Sequence, residues 1–145
     1  MIENNFFKLK VKYLVQDPDK GSISKKTSEY VLKAVSFTDA EASLLECLKD
    51  DFEYNLVSCS KFNIQDVRID ETKEDYFKVK IVSTSSDIIS GKTSKIIDNY
   101  IIQGNNIEDV NKSIKLMLYS PVILLDYEIE NIQKTKIEKV FYEVK

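Results

Sequence analysis

Phe6-Phe7-Lys8-Leu9-Lys10-Val11 returns 70 positions later as Tyr76-Phe77-Lys78-Val79-Lys80-Ile81. Gly21 returns as Gly91, and Tyr30-Val31-Leu32 as Tyr100-Ile101-Ile102, at the same displacement. The register then runs without a gap to Leu48 and Leu118. Repetition at a fixed displacement predicts one structural unit built twice. Positions shared by the copies are read as positions of the fold. Positions where the copies differ are where a function should show.

The unit itself is read from its periodicities. Phe7, Leu9, Val11 and Tyr13 alternate with Lys8, Lys10 and Lys12, and Phe77, Val79 and Ile81 alternate with Lys78 and Lys80. Period two over this length predicts a strand with one buried face. Asp17-Pro18-Asp19-Lys20-Gly21 and Ser90-Gly91-Lys92 supply turn chemistry, so the next strand returns antiparallel. It centres on Tyr30 and Tyr100 and ends at Ala34 and Gly104. Ser36 and Asn106 then read as helix N-caps, with Asp39 and Asp109 in the place of the capping-box acid. Phe37, Ala40, Leu44, Cys47 and Leu48 make an apolar stripe at helical spacing, and Ile107, Val110, Ile114, Met117 and Leu118 repeat it. A third strand follows each helix, at Tyr54-Asn55-Leu56 and Tyr127-Glu128-Ile129. The displacement is now 73, which places a three-residue insertion around Ser120-Pro121-Val122.

The expected fold is α+β: a tandem duplication of a strand–strand–helix–strand unit with mainly antiparallel sheet. Repeat 1 spans about 6–68 and repeat 2 about 76–141, with an acidic linker at 70–75, in one compact domain over 1–145. Units of this size have small cores. The copies are therefore expected to share a core or a continuous sheet about a pseudo-two-fold axis.

Composition narrows the function. The 145 residues carry 21 basic and 24 acidic side chains, a formal charge of −3, which does not describe a globally basic nucleic-acid binder. There is no histidine, so the commonest general base and metal ligand is missing. Cys47 and Cys59 form no closely spaced metal or redox motif. Gly21, Gly91 and Gly104 are scattered, which rules out a glycine-rich phosphate loop. The start of the chain has no signal-like stretch, no apolar run is of transmembrane length, and a cytoplasmic protein is expected.

The segments Phe6-Phe7-Lys8-x-Lys10-Val11, Ser36-Phe37-Thr38-Asp39-Ala40-Glu41-Ala42 and Tyr76-Phe77-Lys78-x-Lys80 resemble a domain-of-unknown-function family. That family is found in gut Bacteroidetes and their crAss-like phages. The resemblance covers essentially the whole chain and implies a source and a compartment, the cytoplasm of a bacterial host. It implies no activity. The abundance of Lys, Ile and Asn fits an AT-rich phage genome.

Candidate sites follow from the residues. Lys8, Lys10 and Lys12, with Phe6, share one strand face; Lys78 and Lys80, with Tyr76, share the equivalent one. Lysines interleaved with aromatics on an open sheet can follow a single-stranded backbone while its bases stack. The plainer reading is a solvated outer face. Asp39 with Glu41, Asp50 with Asp51 and Glu53, and Glu74 with Asp75 are carboxylate groupings without evident convergence, so no catalytic or metal site and no cofactor is expected. Tyr30 and Tyr100, and Tyr54 and Tyr127, occupy matched columns and read as core. The expected function is a non-enzymatic binding or adaptor protein that acts on another protein, with no membrane partner. A single-stranded nucleic-acid binder is the alternative, a virion or cargo component the third, and a homo-oligomer is compatible with each.

Overall fold

The computed structural model describes residues 5–48, 53–86, 89–119 and 126–141. Asp50, Asp51 and the insertion around Pro121 lie outside the described residues. Two helices and eight strands run in the order β1 (Asn5–Gln16), β2 (Ile23–Ala34), α1 (Phe37–Leu48), β3 (Asn55–Lys61), β4 (Asp66–Arg68), β5 (Asp75–Ser86), β6 (Thr93–Gly104), α2 (Ile107–Leu118), β7 (Tyr127–Lys134) and β8 (Ile137–Phe141). The class is α+β.

The two halves have the same order of elements, and their ladders have the same register. Phe7 faces Leu32 in β1–β2 as Phe77 faces Ile102 in β5–β6. A bulge lies at Lys10/Val11 opposite β3 and again at Lys80/Ile81 opposite β7. The hairpin turns agree as well. Gly21 and Gly91 take φ of 68° and 72°, a left-handed conformation that costs glycine nothing. In the first turn the Asp17 carboxylate also accepts the Asp19 N–H at 2.8 Å.

Where the strands end up corrects two expectations. Each half ends in two strands, not one. The strands form two four-stranded sheets, β3-β1-β2-β8 and β4-β6-β5-β7, where a continuous sheet was one expectation. The fourth strand of each sheet comes from the other repeat, and it pairs in parallel: β8 with β2, and β4 with β6. The sheets are therefore mixed. The chain accordingly divides into one unit of residues 1–63 with 136–145 and a second of residues 64–135. The last strand of each repeat crosses into the other repeat's unit.

Each unit has its own core. In the first, Phe7, Leu9 and Val11 of β1 and Tyr30, Leu32 and Ala34 of β2 bury against Ala40, Leu44 and Leu48 of α1. In the second, Phe77, Val79, Ile81 and Ile102 bury against Val110 and Ile114. The expected helix stripes are thus core, with one adjustment. Phe37 and Ile107, at the helix starts, are about half exposed, and Phe37 meets Phe7 edge-on at 5.1 Å.

At both helix starts the aspartate takes the capping-box place. Asp39 N–H donates to Ser36 Oγ at 3.1 Å, and Asp109 N–H to Asn106 Oδ1 at 2.9 Å. The returning bonds reach one residue further back than in a standard capping box. Asp39 Oδ2 accepts from Val35 N–H at 3.0 Å, and Asp109 Oδ2 from Asn105 N–H at 3.1 Å. The caps satisfy helix-end donors that have no partner within the helix.

Candidate functional site

The lysine faces are the first candidate. Phe6 and Tyr76 are each 6% exposed, so neither ring offers a face to a base. The aromatic rings on the first face are instead used locally. Lys33 lies 5.5 Å over the Phe6 ring and Lys8 5.5 Å over the Phe62 ring. Lys8 also pairs with Glu29 at 3.6 Å, and Lys80 with Glu130 at 3.2 Å. Lys8, Lys78 and Lys80 are half-buried, while Lys10 and Lys12 are exposed. Lys8, Lys10 and Lys12 belong to the first unit and Lys78 and Lys80 to the second.

The acidic groupings serve local structure. Asp39 is the cap described above. In the linker, Asp70 accepts from the Thr72 N–H at 3.1 Å and the Thr72 hydroxyl at 2.6 Å, and these bonds hold its carboxyl below the usual range. Gln103, only 8% exposed, clamps the same segment: its Oε1 accepts from Asp70 N–H and its Nε2 donates to Lys73 O. Asn105 Oδ1 accepts from Glu74 N–H, and Lys73 pairs with Asp109 at 3.4 Å. The stretch expected as an acidic linker is tied to the end of β6 and the start of α2. The Asn105 N–H bond, with Lys73 nearby, lowers the Asp109 pKa. The matching columns in the first half are Lys33 and Val35, so part of the divergence between copies goes into holding this segment. Among the described residues, no group of three or more His, Cys, Asp or Glu is placed to hold a metal ion. No described helix is long and apolar enough to cross a membrane.

The cysteines flank a different feature. Burial raises the pKa of both thiols; Glu41 raises Cys59 further, while Lys139 partly offsets the rise at Cys47. Both thiols therefore stay protonated near neutrality, and neither is an activated nucleophile.

Between α1 and β3 of the first unit lies an open groove of about 540 Å³. Leu44, buried at 1% exposure, is its floor. Leu45 and Leu56, at 56% and 37% exposure, bring apolar surface to the solvent along it. Tyr54 and Asn55 complete the β3 side, and burial raises the Tyr54 pKa. Glu41 and Glu53, both exposed, supply charge, and among the described residues no lysine or arginine lines the groove. β3 is an edge strand, and its bulge leaves Val57 between the residues paired to Lys10 and Val11. Such a bulge interrupts the ladder and discourages edge-to-edge pairing.

Sequence reasoning missed this groove, although a signal for it existed. The columns of Glu41 and Leu45 hold Asn111 and Lys115 in the other copy. An acid and an apolar residue on one helix thus stand where its counterpart has an amide and a cation. A family model described as Domain of unknown function (DUF4494) matches residues 5–143, and the chain belongs to that family. Among curated proteins and among solved structures, no match to the chain was found.

Proposed function

We propose that this DUF4494 chain is a non-enzymatic binding protein and that it engages another protein through the groove between α1 and β3. The observation that carries this reading is the groove's make-up. An apolar floor and two exposed leucines open to solvent beside two carboxylates, in a unit that has its own core. Exposed apolar surface rimmed by charge is the usual mark of a protein contact. Among the described residues that line the groove, the charged groups are two solvated carboxylates, which do not make a set for chemistry on a small molecule. A single-stranded nucleic-acid partner ranks below this reading, because the rings it needs for stacking are buried.

We also infer that the two halves arose by tandem duplication. The matched registers and the matched bulges support this. An origin in crAss-like phages of gut Bacteroidetes, and action in the bacterial cytoplasm, rest on the resemblance of the Ser36–Ala42 and aromatic–lysine segments. A place in the virion is tested by detection in purified particles.

The experiment is affinity capture with the tagged full chain, wild type against the double variant Leu45→Asp and Leu56→Asp. Both positions are solvent-accessible, so the variant should fold, and circular dichroism checks this. The expected result is a partner held by the wild type and lost from the variant. A partner held equally by both overturns the groove as the contact site.

A further inference from the structure

We propose that the groove's occupant is a second copy of this chain, which docks the projecting end of its β1–β2 hairpin there. The proposal rests on the reading of the groove as a protein-binding site and names the partner.

The hairpin end is the matching surface. β3 pairs with β1 only over Phe7–Lys12, and β8 with β2 only over Glu29–Leu32. Beyond these, among the described residues, Tyr13–Gln16 pairs only with Ile23–Lys26, as a two-stranded ribbon. Ribbons of two strands are marginal in water and gain from a partner. Residues directly opposite in a ladder share a face. Leu14 lies opposite Lys25, Gln16 opposite Ile23 and Lys12 opposite Thr27, so Lys12, Leu14, Ile23 and Lys25 lie on one face. Leu14 is 65% exposed and Ile23 66%, and both lysines are exposed. This face offers two apolar side chains together with two cations. The groove offers apolar surface together with two carboxylates.

The hairpin end cannot fill its own groove. Phe7, Leu9 and Val11 turn toward α1, so the alternate residues Lys12 and Leu14 turn away from it. The groove lies on the α1 side. A second molecule is needed to bring the two surfaces together.

Both surfaces differ in part between the halves. Where the first half has Lys12, Leu14 and Ile23, the second has Val82, Thr84 and Thr93. Where the first half has Glu41 and Leu45, the second has Asn111 and Lys115. Lys25, Leu56 and the acid of Glu53 keep their character as Lys95, Ile129 and Asp126, so the difference between the halves is confined to Lys12, Leu14, Ile23, Glu41 and Leu45.

The test is sedimentation velocity of the full chain across a concentration series, at low and high salt. The expected result is self-association that weakens as salt rises. Glu41→Lys with Glu53→Lys should weaken it by about tenfold or more, and Lys12→Glu with Lys25→Glu should do the same, since like charges then face each other. Mixing the two variants should restore association, because an acidic hairpin now meets a basic groove. All four positions are exposed, so stability should change little. A chain that stays monomeric at its highest soluble concentration overturns the proposal. So does association that neither pair of reversals changes, or a mixture that fails to recover. If the chain stays monomeric while the leucine variant loses a captured partner, only this inference falls.

Discussion

The two units use one backbone plan and hold it in different ways. At the edge where the exchanged strand docks, the first unit is apolar. Phe141 of β8 stacks on Tyr30 at 5.7 Å, with Tyr30 only 5% exposed. At the same place the second unit has Arg68 of β4 and a half-buried Tyr100. Burial and the nearby Asp98 and Asp66 carboxylates raise the Tyr100 pKa. The second unit relies more on polar ties, through Gln103, Asn105 and the Lys73–Asp109 pair. Between β2 or β6 and its helix the difference is one of volume. Ala34 goes with Ala40, and Gly104 with Val110. A methyl group added at Gly104 would stand 3.0 Å from Val110 Cγ2. The larger helix residue is thus offset by a smaller strand residue. The comparison teaches that register and bulges are set by the shared columns, while side-chain volume and polarity are free to redistribute around them.

The largest expected effect tests whether the helices are equally important to both units. Leu44→Ala and Ile114→Ala should each cost about 2–5 kcal/mol in a denaturant titration, as buried large-to-small changes do. A loss near zero for either one would mean that its unit does not depend on that column. Next comes the exchanged strand. Phe141→Ala should cost about 1–3 kcal/mol, less than a fully buried ring, while Arg68→Ala should fall within about 0.5 kcal/mol. Equal losses would erase the distinction between an apolar and a polar edge. The volume trade gives a smaller effect. Gly104→Ala should cost about 1–2 kcal/mol through overpacking, and adding Val110→Ala should relieve that strain, so the pair couples favourably in a double-mutant cycle. Additive losses would show that the two sites do not share space.

The smallest effect is one of pH. The Asp109 pKa is lowered in the folded protein by the Asn105 N–H and Lys73. A lowered carboxyl pKa stabilises the fold above its ordinary value of 3.8, and that contribution is lost as pH falls through the folded value. Asp109→Asn should therefore flatten the acid limb of a stability curve below about pH 4. An acid limb of unchanged steepness would remove Asp109 from the account.

How much of this was legible in the sequence follows the same division. The displacement of 70 places β1 with β5, β2 with β6 and α1 with α2 residue for residue, because periodicity and turn chemistry are local. The alignment of Val67 with Val140 was also legible, and both are buried. Which sheet they join was not. A strand of three to five residues carries no mark of its partner, and parallel pairing across repeats is a choice of topology. The ties on the linker backbone were not legible, because the groups that hold it, Gln103 and Asn105, lie some 30 residues away. The groove was legible only as a mismatch between columns, and charge at a helix surface is easily taken for solubility. The lysine faces were placed on the correct strand face, but burial of Phe6 and Tyr76 depends on tertiary packing that period two does not reveal.

The exchanged strands also set a timetable on the ribosome. The second unit is continuous, and its borrowed strand β4 is synthesised before the β6 it pairs with. Every partner it needs has been made by the end of β7. The first unit is interrupted, and the strand that covers β2 is synthesised after the whole of the second unit. At ordinary synthesis rates that delay is a matter of seconds, far longer than a hairpin takes to form. During it, the edge of β2 has neither its hydrogen-bond partners nor Phe141 over Tyr30. The half of the chain made first is therefore completed last, and the nascent protein presents an open strand edge to chaperones or to a neighbouring nascent chain until Ile137–Phe141 arrives.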